Sequence, residues 1–126
     1  SMDNPVYYIQ YAYARLNSIL KLASEQGFDG KMGDVRLLKA SEELALIREM
    51  IRLPEILELI GSTLQPLHLP HYAQNLATVF HGFYQNCRVV TSDIELTKAR
   101  IKLVQAGLVV FKRTLDLMGM SSPVHM

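Results

Sequence analysis

One arginine and a group of tyrosines near the start of the chain have the types and spacing to bind flat, anionic ligands. The segment reads NPVYYIQYAYAR over residues 4–15. Because each residue turns an α-helix by about 100°, Tyr8, Tyr11 and Arg15 share one helical face, with Tyr7 beside them. Unpaired bases stack on such rings, at about 1–3 kcal/mol per base, and a guanidinium stacks on a base or holds a phosphate. This face is therefore a candidate site for single-stranded nucleic acid.

A second interpretation of the tyrosines remains open at this point. Exposed tyrosines also pack beneath another helix of the same bundle, or beneath a neighbouring domain. The distribution of charge favours the nucleic-acid interpretation, because segment 4–24 contains Arg15 and Lys21 but no acidic residue. Carboxylates concentrate instead in the next two predicted helices, at Glu42, Glu43, Glu49, Glu55 and Glu58. Since an acidic hairpin repels phosphates, we expect RNA to approach the first helix and avoid this hairpin.

Helical periodicity dominates the rest of the sequence, and no hairpin signal such as Asn-Gly occurs. Capping residues, prolines and glycines predict five helices. The first covers residues 5–25, the second starts at residue 41, the third covers 54–64 and the fourth 70–89. The fifth follows a capping box of Ser92 and Glu95 and ends at about residue 118. The 126 residues, 49% of them hydrophobic, suit one domain with one core. We therefore predict an all-α fold, an antiparallel bundle of about five helices, with residues 1–126 as a single domain and 120–126 as its C-terminal tail.

The same periodicity predicts which side chains face the core. In the first helix the apolar stripe contains Tyr13, together with Val6, Ile9, Leu16, Leu20 and Ala23. In the second helix Leu44, Ile47 and Ile51 are expected to point inward. The fifth helix carries a basic group, Lys98, Arg100 and Lys102, which is either a solvated face or a set of contacts to an RNA backbone.

Other reactive residue types have simpler explanations. His68 and His71 have metal-like spacing, but no third ligand accompanies them, so we expect no metal site. His81, within FHGFY, is expected to be half-buried with one hydrogen bond. Cys87 lies on an apolar stripe and is expected to be a small buried group rather than a reactive thiol activated by Arg88.

Composition limits the partners and the cellular compartment that we expect for this protein. The net charge of +1 gives no global basic field, so a nucleic acid would have to meet a local patch. No stretch approaches the roughly 18 apolar residues of a membrane span, and no signal peptide is recognisable. A single cysteine fits a reducing compartment. We expect a cytoplasmic protein without a membrane partner.

Four segments together resemble one family. NPVYYIQYAYAR is close to NPVYYVQYAHAR, which opens the C-terminal anticodon-binding domain, the DALR domain, of arginyl-tRNA synthetases. ELALIREMIRLPEIL at 43–57 and LPHYAQNLATVFHGFYQNCRV at 69–89 look like later helices of that domain. LDLMGMSSPVHM at 115–126 is similar to a family ending near LGVSAPERM. The resemblance runs in order over nearly the whole chain.

This resemblance implies a fragment of a class I enzyme that joins arginine to its tRNA using ATP. The expected partners are the anticodon loop of tRNA(Arg), whose middle base is cytosine, and the catalytic domain of the same parent chain. Residues matching the family's contacts to that loop are Tyr8, Tyr11, Arg15 and Met126. The HIGH-like and KMSK-like motifs are absent from the sequence, so ATP belongs to the parent's catalytic domain and this fragment is expected to have no cofactor and no catalytic residue.

Two departures from the family pattern affect these expectations. Tyr13 replaces the usual histidine, which we interpret as a change in packing, and Val124-His125 replaces a common Glu-Arg. Two alternatives also stay open: a helical protein–protein interaction module, and the anticodon domain of another class I synthetase.

Overall fold

The bundle is built from five α-helices in the part of the chain that the structure, a computed structural model, describes, residues 4–126. The helices are α1 (Pro5–Glu25), α2 (Ser41–Met50), α3 (Leu53–Thr63), α4 (His68–Asn86) and α5 (Ile94–Leu117), with one turn of 3-10 helix at Val35–Leu37. The predicted all-α bundle is confirmed. Each predicted helix exists, although α4 begins two residues earlier and ends three residues sooner than its sequence pattern indicates.

Helix α1 starts where its capping residues predict. Asn4 accepts a hydrogen bond from the Val6 amide at 2.9 Å, and Pro5 occupies the first helical position. Its inner face packs antiparallel on α5, where buried Gly107 lets the side chain of Leu16 come close to the α5 backbone. Tyr13 is 7% exposed, which confirms that it faces the core.

Helix α4 lies at the centre of the bundle. Its buried side chains Leu76, Phe80 and Phe83 contribute to the core, and the Phe80 ring meets Phe111 of α5 edge-on at 6.0 Å. The hydroxyl of Tyr72 donates to the backbone carbonyl of Glu49 at 2.7 Å, which fixes the start of α4 against the end of α2. Helices α1 and α4 lie side by side, with Tyr8 next to His81 and Arg15 next to Tyr84, and both run antiparallel to α5.

A buried ion pair joins α2, α5 and the end of α4. Glu43 is 1% exposed, and its Oε2 lies 2.7 Å from Nε of Arg100, whose side chain is 13% exposed. The other oxygen, Oε1, accepts from the Ala40 amide at 2.9 Å and caps α2. Arg100 also donates from Nη1 to the backbone carbonyl of Arg88 at 2.7 Å. Arg100 is therefore engaged by contacts within the fold and is not part of a solvated face. That it contacts an RNA backbone stays a prediction.

This ion pair also sets the rotation of α2. The buried residues are Glu43, Leu46 and Met50, whereas Ile51 is 70% exposed and Leu44 is 39% exposed. The prediction was wrong for Leu44 and Ile51, whereas Ile47 is partly buried against the core. The buried face is displaced by one residue, a rotation of about 100°. The apolar pattern alone allows either face, and the burial of a charged residue that has its partner on α5 selects between them.

The beginning of α5 differs from the prediction by one residue. Asp93 caps the helix by accepting a hydrogen bond from the Leu96 amide at 3.2 Å, whereas Ser92 is exposed outside it. Thr97 is fully buried and its Oγ1 accepts from the Thr91 amide at 2.9 Å. The connection between α4 and α5 is thus fastened to the first turn of α5, and this contact moves the start of the helix past Ser92.

Removing the carboxylate of Glu43 should destabilise the whole bundle. In Glu43→Ala the Arg100 guanidinium would stay buried without its counter-charge, a loss of about 3–5 kcal/mol in the free energy of unfolding. Urea denaturation followed by circular dichroism measures it. Glu55→Ala is the matched control, because the Glu55–Arg52 pair is exposed and should contribute less than about 1 kcal/mol. Equal losses in the two variants would contradict a structural role for the buried pair.

Candidate nucleic-acid interface

Three tyrosines of α1 form a half-buried aromatic surface. The rings of Tyr7 and Tyr11 stand 6.3 Å apart with planes 21° from parallel. Tyr8 and Tyr11 both lie over the imidazole of His81 on α4, at centroid distances of 4.8 Å and 5.9 Å. We call this group, Tyr7, Tyr8 and Tyr11 with His81 beneath them, the aromatic platform. The rings thus pack on α4, as the packing interpretation expects, and still reach the surface. That they bind bases stays a prediction.

The imidazole of His81 serves as a flat support for the platform. Its Nε2 is buried and has no hydrogen-bond partner among the described residues, so the expected single hydrogen bond is wrong for this atom. Burial lowers the pKa of His81, and the charge of Arg15 lowers it further. The ring is therefore neutral near pH 7 and adds no second cation below the tyrosines.

Arg15 is held in place by two aromatic rings. Its guanidinium carbon lies 5.1 Å from the centre of the Tyr11 ring and 5.0 Å from that of Tyr84 on α4. An Nη2 proton is donated to the Tyr11 hydroxyl, and this hydrogen bond is the main cause that raises the pKa of Arg15. Such cation–π contacts contribute about 0.5–1 kcal/mol each at exposed sites. The charge is thus positioned before any ligand arrives.

The C-terminal tail closes one side of the platform. Gln10 of α1 donates from Nε2 to the carbonyl and to Oγ of Ser121, both at 3.0 Å. A depression of about 120 Å³ then opens between α1 and the end of the tail, lined by Tyr11, Ala14, Arg15, Ser18, His125 and Met126. Met126 is 50% exposed at its edge. No aspartate or glutamate side chain is among these lining residues.

The structure brings four of the sequence-predicted residues to one place and separates the others from it. Tyr8, Tyr11, Arg15 and Met126 surround the platform and the depression beside it. Lys98, Arg100 and Lys102 lie in the first half of α5, where Ile101 packs against the loop that follows α1. Since a helix rises by about 1.5 Å per residue, the end of α1 is about 21 Å from Tyr11 along the helix axis. The basic residues near the loop that follows α1 are therefore separated from the platform by about that distance.

Lys98 and Lys102 lie beside acidic residues, away from the platform. Nζ of Lys98 lies 3.7 Å from Glu95, whereas Lys102 is exposed beside the loop that contains Asp34. The hypothesis that they contact an RNA backbone remains a prediction, and they are not part of the platform.

Tyr84 was not recognised from the sequence. Its ring is 40% exposed, stacks 6.2 Å from Phe80 and holds the outer side of Arg15. The only available signal was its position four residues after Phe80 in FHGFY, which places both on one face of α4. That signal could not relate Tyr84 to Arg15, because their contact depends on how α1 and α4 pack.

The remaining candidates have structural explanations. Cys87 is 3% exposed, and burial raises the pKa of its thiol, which confirms a buried packing group. His68 and His71 lie in the first turn of α4. Over residues 4–126 no three His, Cys, Asp or Glu side chains are grouped to hold a metal ion. None of the helices in that range is long and apolar enough to cross a membrane.

The lowered pKa of His81 makes stability depend on pH. Below the ordinary histidine pKa of 6.5 the unfolded chain binds a proton that the folded chain resists, so the free energy of unfolding should fall as pH decreases. We expect this loss in urea titrations between about pH 7.5 and pH 5.5. His81→Gln should flatten the pH dependence. Identical slopes for wild type and His81→Gln would refute this assignment.

Sequence comparisons place the chain among known proteins. Residues 9–126 match the family model described as the DALR anticodon binding domain. The whole chain aligns with an arginine–tRNA ligase of Dehalococcoides mccartyi at 56% identity over 126 residues, and with one of Moorella thermoacetica at 40% over 129 residues. In both cases the chain spans 23% of the relative's length.

A solved structure shows the same fold. The whole chain superimposes on 27% of a crystal structure described as an arginyl-tRNA synthetase from Campylobacter jejuni, with a TM-score of 0.84 and 29% sequence identity. The family model covers residues 9–126, which is nearly the whole chain. The chain belongs to the DALR anticodon-binding domain family.

Proposed function

We propose that this chain is the anticodon-binding part of an arginine–tRNA ligase and that its aromatic platform receives an unpaired base of the tRNA(Arg) anticodon loop. One observation supports this function above the others: the Arg15 guanidinium is fixed between the Tyr11 and Tyr84 rings at the edge of half-exposed tyrosines. Proteins recognise single-stranded RNA by stacking splayed bases on aromatic rings and bonding their edges.

The chemistry of the platform suits a cytosine, the middle base of arginine anticodons. Tyr8 and Tyr11 offer the faces on which a base stacks, and Met126 with the tail bounds the adjoining depression. Arginine has only hydrogen-bond donors. Cytosine presents two acceptors, O2 and N3, on its pairing edge, whereas uracil carries a proton on N3. The donors of Arg15 therefore favour cytosine over uracil.

The rest of the activity belongs to the parent protein in this proposal. Residues 1–126 form one anticodon-binding domain with the tail at 120–126, and the larger remainder of the parent carries the catalytic domain, binds ATP and joins arginine to the tRNA. The relatives named arginine–tRNA ligase, of whose length the chain spans 23%, support this division. The same parent would work in the cytoplasm, where tRNA is charged.

Removing a ring from the platform should weaken RNA binding without unfolding the bundle. Tyr8→Ala or Tyr11→Ala should raise the Kd for an arginine tRNA anticodon stem-loop about 5- to 150-fold, the equivalent of about 1–3 kcal/mol of lost stacking. Tyr8→Phe is the matched control, because it keeps the ring and should bind nearly as well as wild type. Unchanged affinity in both alanine variants, with intact circular dichroism, would remove the platform from the RNA interface.

Changing the RNA tests whether the platform reads a base. A stem-loop with uracil in place of the middle cytosine should bind wild type more weakly by about 1–3 kcal/mol, a typical effect of one wrong base contact. Fluorescence anisotropy at several salt concentrations measures both affinities. Equal binding to the two loops, lost at high salt, would show only sequence-independent phosphate contacts. Tight binding to another protein without RNA affinity would instead favour an interaction module.

A further inference from the structure

A large groove continues from the aromatic platform along the second half of α1. Its volume is about 1040 Å³, and it lies between Ile19, Leu22 and Gln26 on one side and residues 84–92 on the other. Tyr84 belongs to both places, since its ring holds Arg15 at the platform and also lines the groove. Pockets that hold whole ligands measure about 300–1,000 Å³, so the groove has room for more than one nucleotide.

The lining of this groove has the chemistry of a phosphate-binding track. Among the described residues that line it, Arg88 has the only charged side chain, and none is an aspartate or glutamate. Gln85, Thr91 and Ser92 add neutral polar groups, whereas Ile19 and Leu22 make the opposite wall apolar. Arg88 is exposed and forms no ion pair with a carboxylate of the described residues. Its charge is therefore available to an anionic ligand.

The backbone at Arg88 is held in place by contacts with the core. The carbonyl of Arg88 accepts from Nη1 of Arg100, and Arg100 is in turn paired with buried Glu43. This arrangement holds the rim of the groove in place. It also pairs the negative charge of Glu43, which is buried within α2, with a cation. At Cys87, which lines the groove, the charge of Arg100 opposes those of Glu43 and Glu42.

We propose that this groove binds the sugar–phosphate backbone of the RNA strand that continues from the base on the aromatic platform, with Arg88 as a phosphate contact. The proposal rests on the function proposed above and extends its footprint. Arg15 and Leu22 are seven residues apart on α1, about 10 Å along the axis, which neighbouring nucleotides of an extended strand can cover. Continuity through Tyr84 and the absence of lining carboxylates favour RNA over a protein segment.

The salt dependence of binding tests this proposal. Each phosphate contact steepens the fall of log K with log salt by about 0.7 for a single strand. Arg88→Gln should therefore bind the arginine anticodon stem-loop with a slope shallower by about 0.7, and Arg88→Lys should restore the slope. Arg113→Gln is the matched control, since Arg113 is exposed and lines a different cavity, with Tyr13. Its slope should equal that of wild type.

The ratio of affinities for the cytosine and uracil loops tests the groove separately from base reading by the platform. Arg88→Gln should keep the wild-type ratio of affinities for the cytosine and uracil loops, because a phosphate contact carries no sequence information. A wild-type slope in Arg88→Gln, with a melting temperature equal to wild type, would overturn the groove as a backbone site. A shallower slope in Arg88→Gln combined with no base discrimination by wild type would support the groove and overturn base reading by the platform.

Discussion

The buried pair of Glu43 and Arg100 is the constraint on which the arrangement of the bundle depends. Two charges removed from water require each other and further hydrogen bonds, and here those bonds go to the Ala40 amide and the Arg88 carbonyl. One ion pair thus caps α2, sets its rotation, and fastens the end of α4 to α5. Because the direction of α4 is fixed at that end, the side chains along it meet α1 in one register.

That register creates the candidate site. Helix α4 presents His81 under two tyrosines and Tyr84 against Arg15, so α1 can expose aromatic rings without leaving them unsupported. Rings and a guanidinium held by their neighbours lose less conformational freedom when a ligand binds than free side chains would. The neutral state of His81 fits the same arrangement, because the imidazole then adds no second positive charge beside Arg15.

The positive side chains of the molecule fall into different roles that their sequence positions do not reveal. Arg15 lies between aromatic rings, Arg100 is paired with a buried carboxylate, and Arg88 is exposed in a groove with neutral walls. A net charge of +1 gives no general attraction for RNA. Affinity in this proposal therefore comes from stacking on the tyrosines, which accept any base, and from where a few cations lie. The hydrogen-bond donors of Arg15 supply the part that distinguishes one base from another.

The helices, the core position of Tyr13 and the shared face of Tyr8, Tyr11 and Arg15 could be predicted from the amino-acid sequence, because caps, prolines and helical periodicity act locally. Packing between helices fixes the rotation of α2, the pairing of Arg100 with Glu43 and the contact of Tyr84 with Arg15. These depend on contacts between residues far apart in the chain, such as the pair between Glu43 and Arg100, for which local patterns contain no signal. An apolar stripe indicates that a face is buried, but the partner that covers it is fixed only when the helices pack.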